Sequence, residues 1–355
     1  MQTPPALQRP RPERQREIPL VASLIVLGLL AIRLADVLLM AFAAVLVAVL
    51  LQAVAEPLQS KAGLNRTLAL VLSVLTITGA IACALWVFGR EAERQFASLT
   101  DLLPRAWNEL QLRLNSSPIG AALLRDLQGW SGMAWFLELG PRFAAQAAGA
   151  LAGSVIILFA GLYLAFHPRS YVEGGLLLFP QRMRPRAREV LAAVFDALKR
   201  WLLGQLFSML LVGLTTGAGL ALIGAPSAVA LGVIAGIAQF VPVIGPMAAV
   251  VPGLLVSLEA GPRTFFEAAL VYLAASQLEA NVITPLVLRR LAQLPMAVTL
   301  FAVLAMGVLL GPLGVLFATP LAVVCYVLVK MVYIEGVLGE QSTAGPTICS
   351  ARSPE

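Results

Sequence analysis

The segment Ser276–Pro285, SQLEANVITP, closes an apolar run that begins at Phe265. It offers a carboxylate, two amides, a hydroxyl and a free carbonyl within about two helical turns. Gln277 and Asn281 are four residues apart and share one helix face, which Thr284 extends. Glu279 lies on a different face, with Ser276. Pro285 has no N–H, so the carbonyl of Asn281 loses its usual helical partner. Oxygen and nitrogen groups of this kind suit a polar ligand, a cation or a proton. Glu279 is the most internal acid of the second half; Glu259 and Glu267 fall near the opposite end of the same helix. An acid inside a membrane marks a functional position by default. It must be paired, hydrated or protonated, because a lone buried charge is costly. The competing reading is a structural pair of Glu279 with Arg289, Arg290 or a helix end. The neighbouring amides would be superfluous for that.

A second group of residues could shape a path. Pro242, Gly245, Pro246 and Pro252 interrupt an otherwise helical run, and Gly311 and Pro312 interrupt another. Backbone groups freed by such breaks are tolerated in lipid only where protein or a water-filled cavity satisfies them. Gln239 precedes the first break and is placed to face the same region as Glu279. Gln205, Ser208, Thr215 and Thr216 are polar positions on the preceding helix, where bonds between helices are the commoner use. His167, the only histidine, sits at a membrane boundary beside Pro168 and reads as a loop residue.

The elements that hold these residues are apolar helices. The 355 residues are 59% hydrophobic and only 12% charged, half the charge of an ordinary soluble domain of about 25%. No charge occurs from Trp201 to Leu258 or from Met296 to Val329. At ~1.5 Å per residue against a ~30 Å hydrocarbon core, the first stretch needs roughly three passes and the second needs a break. The expected fold is an all-α integral membrane protein of about eight transmembrane helices. It includes broken, re-entrant helical hairpins and an amphipathic helical insert.

Along the chain, residues 1–17 form a basic disordered tail and 18–88 the first membrane helices, with a tight turn at Arg33 and Asp36. The third of these helices spans about 67–88. Residues 89–142 hold six basic and six acidic residues, and Phe96, Leu99, Leu103, Trp107, Leu110 and Leu114 recur at helical spacing. This extramembrane insert could bind a second copy of the chain, although packing on its own membrane domain or the headgroups is favoured. Residues 143–340 form the transport domain, with a fourth span at about 143–166, and 341–355 a second tail. Lys/Arg excess marks the cytoplasmic side. That places both termini and 167–200 inside and the insert outside.

The transport domain repeats itself. PSAVAL at 226–231 resembles PMAVTL at 295–300, and each precedes an uncharged run broken by Gly-Pro. The expected units, 201–257 and 265–332, would be inverted repeats of a helix and a broken hairpin.

Enzyme signatures are missing: the sequence has no HExxH, GxSxG or Walker A motif. Three scattered cysteines make neither a disulfide framework nor a metal site. No cofactor, metal or nucleic acid is expected. The expected partners are the lipid bilayer and a small polar solute or monovalent cation.

Several segments, taken in order, resemble the autoinducer-2 exporter family, the PerM-type permeases. They are YLAFHPRSY at 163–171, WLLGQL at 201–206 and IGAPSAVALGVIAGIAQFVPVIGPMAAVVPG at 223–253. QLEANVITPLV at 277–287, LPMAV at 294–298 and GPLGVLFATPLA at 311–322 follow. Leu294 departs from the family, many of whose members place a histidine there. The resemblance implies a polytopic protein of the bacterial inner membrane that exports a small signalling furanone in some members. It also implies sodium/proton exchange in others, and is compatible with homo-oligomers. The reading is therefore a permease for a small polar solute, with proton coupling as an extension. The alternatives are a monovalent cation/proton antiporter and a non-transporting scaffold.

Overall fold

A computed structural model describes residues 34–116, 139–242, 244–283 and 296–336. Nine α-helices and no strand occur among them. They are α1 (Ala35–Ala62), α2 (Arg66–Asn115), α3 (Leu139–Phe166), α4 (Pro168–Leu177), α5 (Arg184–Leu222), α6 (Ala228–Ala238), α7 (Ile244–Glu259), α8 (Pro262–Leu278) and α9 (Met296–Leu328). Short π-helical turns extend α8 over Glu279–Ile283 and α9 over Val329–Ile334.

The helices start and stop where the sequence supplies the chemistry. Gly63, at φ 63°, ends α1 in the left-handed conformation that a side chain resists. The Asn65 side chain then accepts a bond from the Leu68 N–H at 2.9 Å and caps α2. α2 departs from the expected boundary at 88/89. It runs unbroken for 50 residues, about 75 Å, because the REAERQ sequence after Gly89 favours helix. The expected third span and the start of the insert are thus one rod. Its half-buried Leu102 packs against the apolar cluster that holds Leu220, Leu231 and Val256, and its Trp107 is buried. Side chains of much of the rest of the apolar stripe lie outside the described residues, as do both tails, the first helix before Arg33 and 117–138.

Small residues let the central helices approach closely. Gly213 and Gly217 on α5 meet Gly236 and Gly232 on α6, two GxxxG pairs placed face to face. A Cβ on Gly232 would stand 2.6 Å from the Gly217 Cα. The pairing order shows that α5 and α6 run antiparallel. α7 reverses direction again. Leu231 and Val256 share one apolar cluster with Leu220, while Ala235 and Ala249 share another with Val212. α6 and α7 are therefore the two arms of a hairpin whose tip holds residues 239–242. At 11 and 16 residues, roughly 17 and 24 Å, neither arm crosses a ~30 Å core.

α9 holds a second sharp turn. Gly311 adopts φ 63° and ψ −149°, a conformation reserved for glycine, and Pro312 follows. Gly307 comes against Val315 across it, which a straight helix forbids. α1, α5 and α9 share a separate core around Leu198, Trp201 and Val323. Lys199 on α5 pairs with Glu56 on α1.

Four helices among the described residues are long and apolar enough to cross a membrane, or five if α3 and α4, bent by 84°, count as one span. This falls short of the eight expected. The hairpin arms and the 17-residue α8 are too short to count, and part of the chain is not described.

Candidate functional site

Three elements meet at the hairpin tip. α6 ends at Ala238, and the chain turns through Gln239, Phe240, Val241 and Pro242 before α7 begins at Ile244. Pro242 has no N–H to return to the carbonyl four residues back, which favours ending the helix at this turn. Gly245 sits where a side chain would strike the Ala238 carbonyl, so the turn needs glycine there. Phe240 anchors the tip against Trp201 of α5, with ring centroids 5.8 Å apart at 79°.

Gln239 is only 3% exposed. Its Nε2 donates to the Glu279 carboxylate, and its backbone carbonyl accepts from Gln205 Nε2 at 2.5 Å. The tip is thereby joined to α5 on one side and to the end of α8 on the other. Glu279 is half-buried and forms no ion pair with a Lys or Arg among the described residues. It stands where α8 widens into a π turn, a distortion frequent at functional sites. The Gln239 Oε1 is buried without a partner, and so is the hydroxyl of Tyr272. Tyr272 lies two turns before Glu279 on the same face of α8 and packs against Gly253 of α7. Native interiors satisfy nearly all buried polar atoms, so two unsatisfied ones along one seam are notable.

The structure distributes the remaining sequence candidates unevenly. Asn281 Nδ2 donates to the Gln277 carbonyl at 3.0 Å and to Gln277 Oε1 at 2.9 Å. Both residues are exposed, on the face away from Gln239. Thr284, Pro285, Arg289 and Arg290 lie outside the described residues. Half-buried Pro242 sits in the tip, and buried Gly245 and half-buried Pro246 open α7 directly after it; Pro252 does not interrupt the helix as expected but lies within α7. Gly311 and Pro312 make the turn in α9, and no described hydrogen bond links them to Gln239 or Glu279. Thr215 bonds the Leu211 carbonyl of its own helix rather than a neighbour.

Sequence reasoning missed Gln95. Its Oε1 accepts from the Val229 and Ala230 N–H groups at 2.9 and 3.1 Å, capping α6 from a different helix. Ser227, the residue that should cap α6, is held at φ 56° and makes no such bond. Its hydroxyl instead meets Ser98 at 3.0 Å. No local pattern could have announced a cap supplied from 134 residues away.

A half-buried carboxylate bonded to the tip of a short helical hairpin, among helices able to cross a membrane, fits a multi-pass, all-α membrane protein built as transporters are. The chain belongs to the AI-2E transporter family, whose "AI-2E family transporter" description matches residues 20–334. Relatives named as candidate transport proteins include YrrI of Bacillus subtilis (strain 168), 28% identical over 151 residues, or 42% of this chain and 43% of that one. MT0215 of Mycobacterium tuberculosis (strain CDC 1551 / Oshkosh) is 35% identical over 176 residues, 47% and 46% of the two chains. YueF of Bacillus subtilis (strain 168) is 28% identical over 158 residues, 44% and 42%. The matches thus span just under half the length of these relatives.

Proposed function

We propose that the chain is a permease that moves a small polar solute, of the autoinducer-2 type, across the bacterial inner membrane. The path follows the seam between the α6–α7 hairpin and α8, and Glu279 carries a proton coupled to transport. One observation carries this reading. Among the described residues Glu279 is bonded to a neutral amide at a helix break and to no cation. A carboxylate kept for structure would be expected to hold an Arg or Lys. The unpartnered Gln239 Oε1 and Tyr272 hydroxyl supply an acceptor and a donor along the same seam. A scaffold would have no use for them or for the glycine-dependent turns. The two oxygens of Glu279 and Gln239 would also suit a monovalent cation, so cation/proton antiport is the second reading. The family's transport character and the basic N-terminus support an inner-membrane protein with both termini in the cytoplasm.

Purified protein in vesicles with an imposed pH gradient tests this directly. Glu279→Gln keeps size and hydrogen bonding but cannot titrate. Proton coupling requires that this variant lose pH-driven movement of solute while remaining folded. If Glu279 only binds solute, Gln retains part of the activity and Ala loses more. Normal transport per folded molecule in both variants would remove Glu279 from the site. Sodium-driven proton flux without solute movement would select the antiporter.

A further inference from the structure

We propose that the elbow joining α3 to α5 is a docking surface for anionic phospholipid. α3 presents an apolar outer face, with Ile156, Leu158 and Phe159 exposed. The chain then turns by 84° at His167 into α4. Aromatic residues with polar tips favour the headgroup level of a bilayer, and three ring systems gather at this turn. Tyr163 lies 4.8 Å from His167 and 6.0 Å from Tyr171, centroid to centroid. Together with Ser170 these rings line a cleft of about 160 Å³ whose hydroxyls and imidazole can donate to phosphate oxygens. α4 therefore leaves the apolar span at headgroup depth and runs along the surface.

Two further observations identify the occupant. Leu177 and Leu178, the last residue and C-cap of α4, are 68% and 86% exposed, a wedge suited to the acyl boundary and poorly suited to water. Arg169, Arg182 and Arg188 are exposed and form no ion pair among the described residues. Arg186, by contrast, is engaged: it bonds Glu189, Glu335 and the Met331 carbonyl. Glu173 is the one acid between His167 and Arg188. Free cations around an apolar wedge and a phosphate-sized polar cleft match an anionic headgroup with its acyl chains. A soluble anion would leave the wedge without a partner.

Native mass spectrometry of the full chain from micelles holding both phosphatidylglycerol and phosphatidylcholine tests the proposal. The expected result is preferential retention of phosphatidylglycerol. Each surface cation contributes about fivefold near an anionic layer, so R169Q/R182Q/R188Q should lower the preference on the order of a hundredfold. R186Q should keep the preference, because that side chain is already engaged. Added salt should weaken phosphatidylglycerol retention selectively. Equal retention of both lipids, or an unchanged preference in the triple variant, overturns the proposal. Displacement of the lipid by inorganic phosphate would reassign the cleft to a free anion. Should the triple variant not fold, salt-independent retention by the native chain refutes the proposal equally well.

Discussion

Gln95→Met separates capping from packing at the junction of α2 with the hairpin. Methionine keeps the length and most of the volume of glutamine but offers no comparable acceptor. The Val229 and Ala230 N–H groups, now bonded at 2.9 and 3.1 Å, would both lose their partner. Ser227 cannot replace it in its present conformation, with φ at 56° and its hydroxyl directed to Ser98. Loss of an N-cap costs about 1 kcal/mol and up to ~2 kcal/mol in favourable contexts. Opening of the first turn of α6 should then become roughly 5- to 30-fold more frequent. Hydrogen exchange read by mass spectrometry, on a peptide covering 226–234, should show that increase, while a peptide from α7 serves as internal control. Gln95→Glu retains an acceptor, favourably placed at a helix N-terminus, and should restore protection. Unchanged exchange in Gln95→Met would mean that α6 is capped by something else, and the link between α2 and the hairpin would fail with it.

Other perturbations follow from the close approaches and turns. Gly232→Ala should destabilise the protein by about 1–3 kcal/mol in detergent melts, because the new carbon meets the backbone of α5 and the helices must part. Gly217→Ala should be nearly neutral, since its Cβ would stand 3.4 Å from the Gly232 Cα, an ordinary contact; equal effects would contradict the crossing geometry. Gly311→Ala should cost about 1–3 kcal/mol of stability through backbone strain alone, and a neutral result would show that the turn is not left-handed there. Asn115→Cys should react with impermeant thiol reagents only from the outer face of right-side-out vesicles, and labelling only from the cytoplasmic side would invert the topology.

Backbone-breaking residues made much of the fold readable from sequence. Pro242 and Gly245 announce the hairpin tip and Gly311 the turn in α9, because proline and left-handed glycine act on their own segment. Glu279 stood out for a similar reason, as an acid in an apolar run. Contacts between distant segments were less legible. Gln239 was visible as a polar residue before a break, but nothing local said that it would donate to Glu279. The two GxxxG motifs, GLTTG and GVIAG, stand in the sequence, but glycine is frequent in this chain and nothing local says that the two pair. The continuity of α2 is not legible, because a change in polarity at residue 89 does not report whether the backbone changes there. A helix can leave a membrane without ending.

That continuity makes α2 a lever arm. Its base is fixed at the α1 turn by Asn65 and by Arg66, whose Nη2 donates to the Ala165 carbonyl at 3.5 Å. Gln95 lies 29 residues further on, about 44 Å along the axis. A tilt of roughly 5° about the base would carry Gln95 sideways by ~4 Å, more than the length of the bonds it makes to α6. Angular displacement at the base of α2 is thus converted into a make-or-break change at the start of α6.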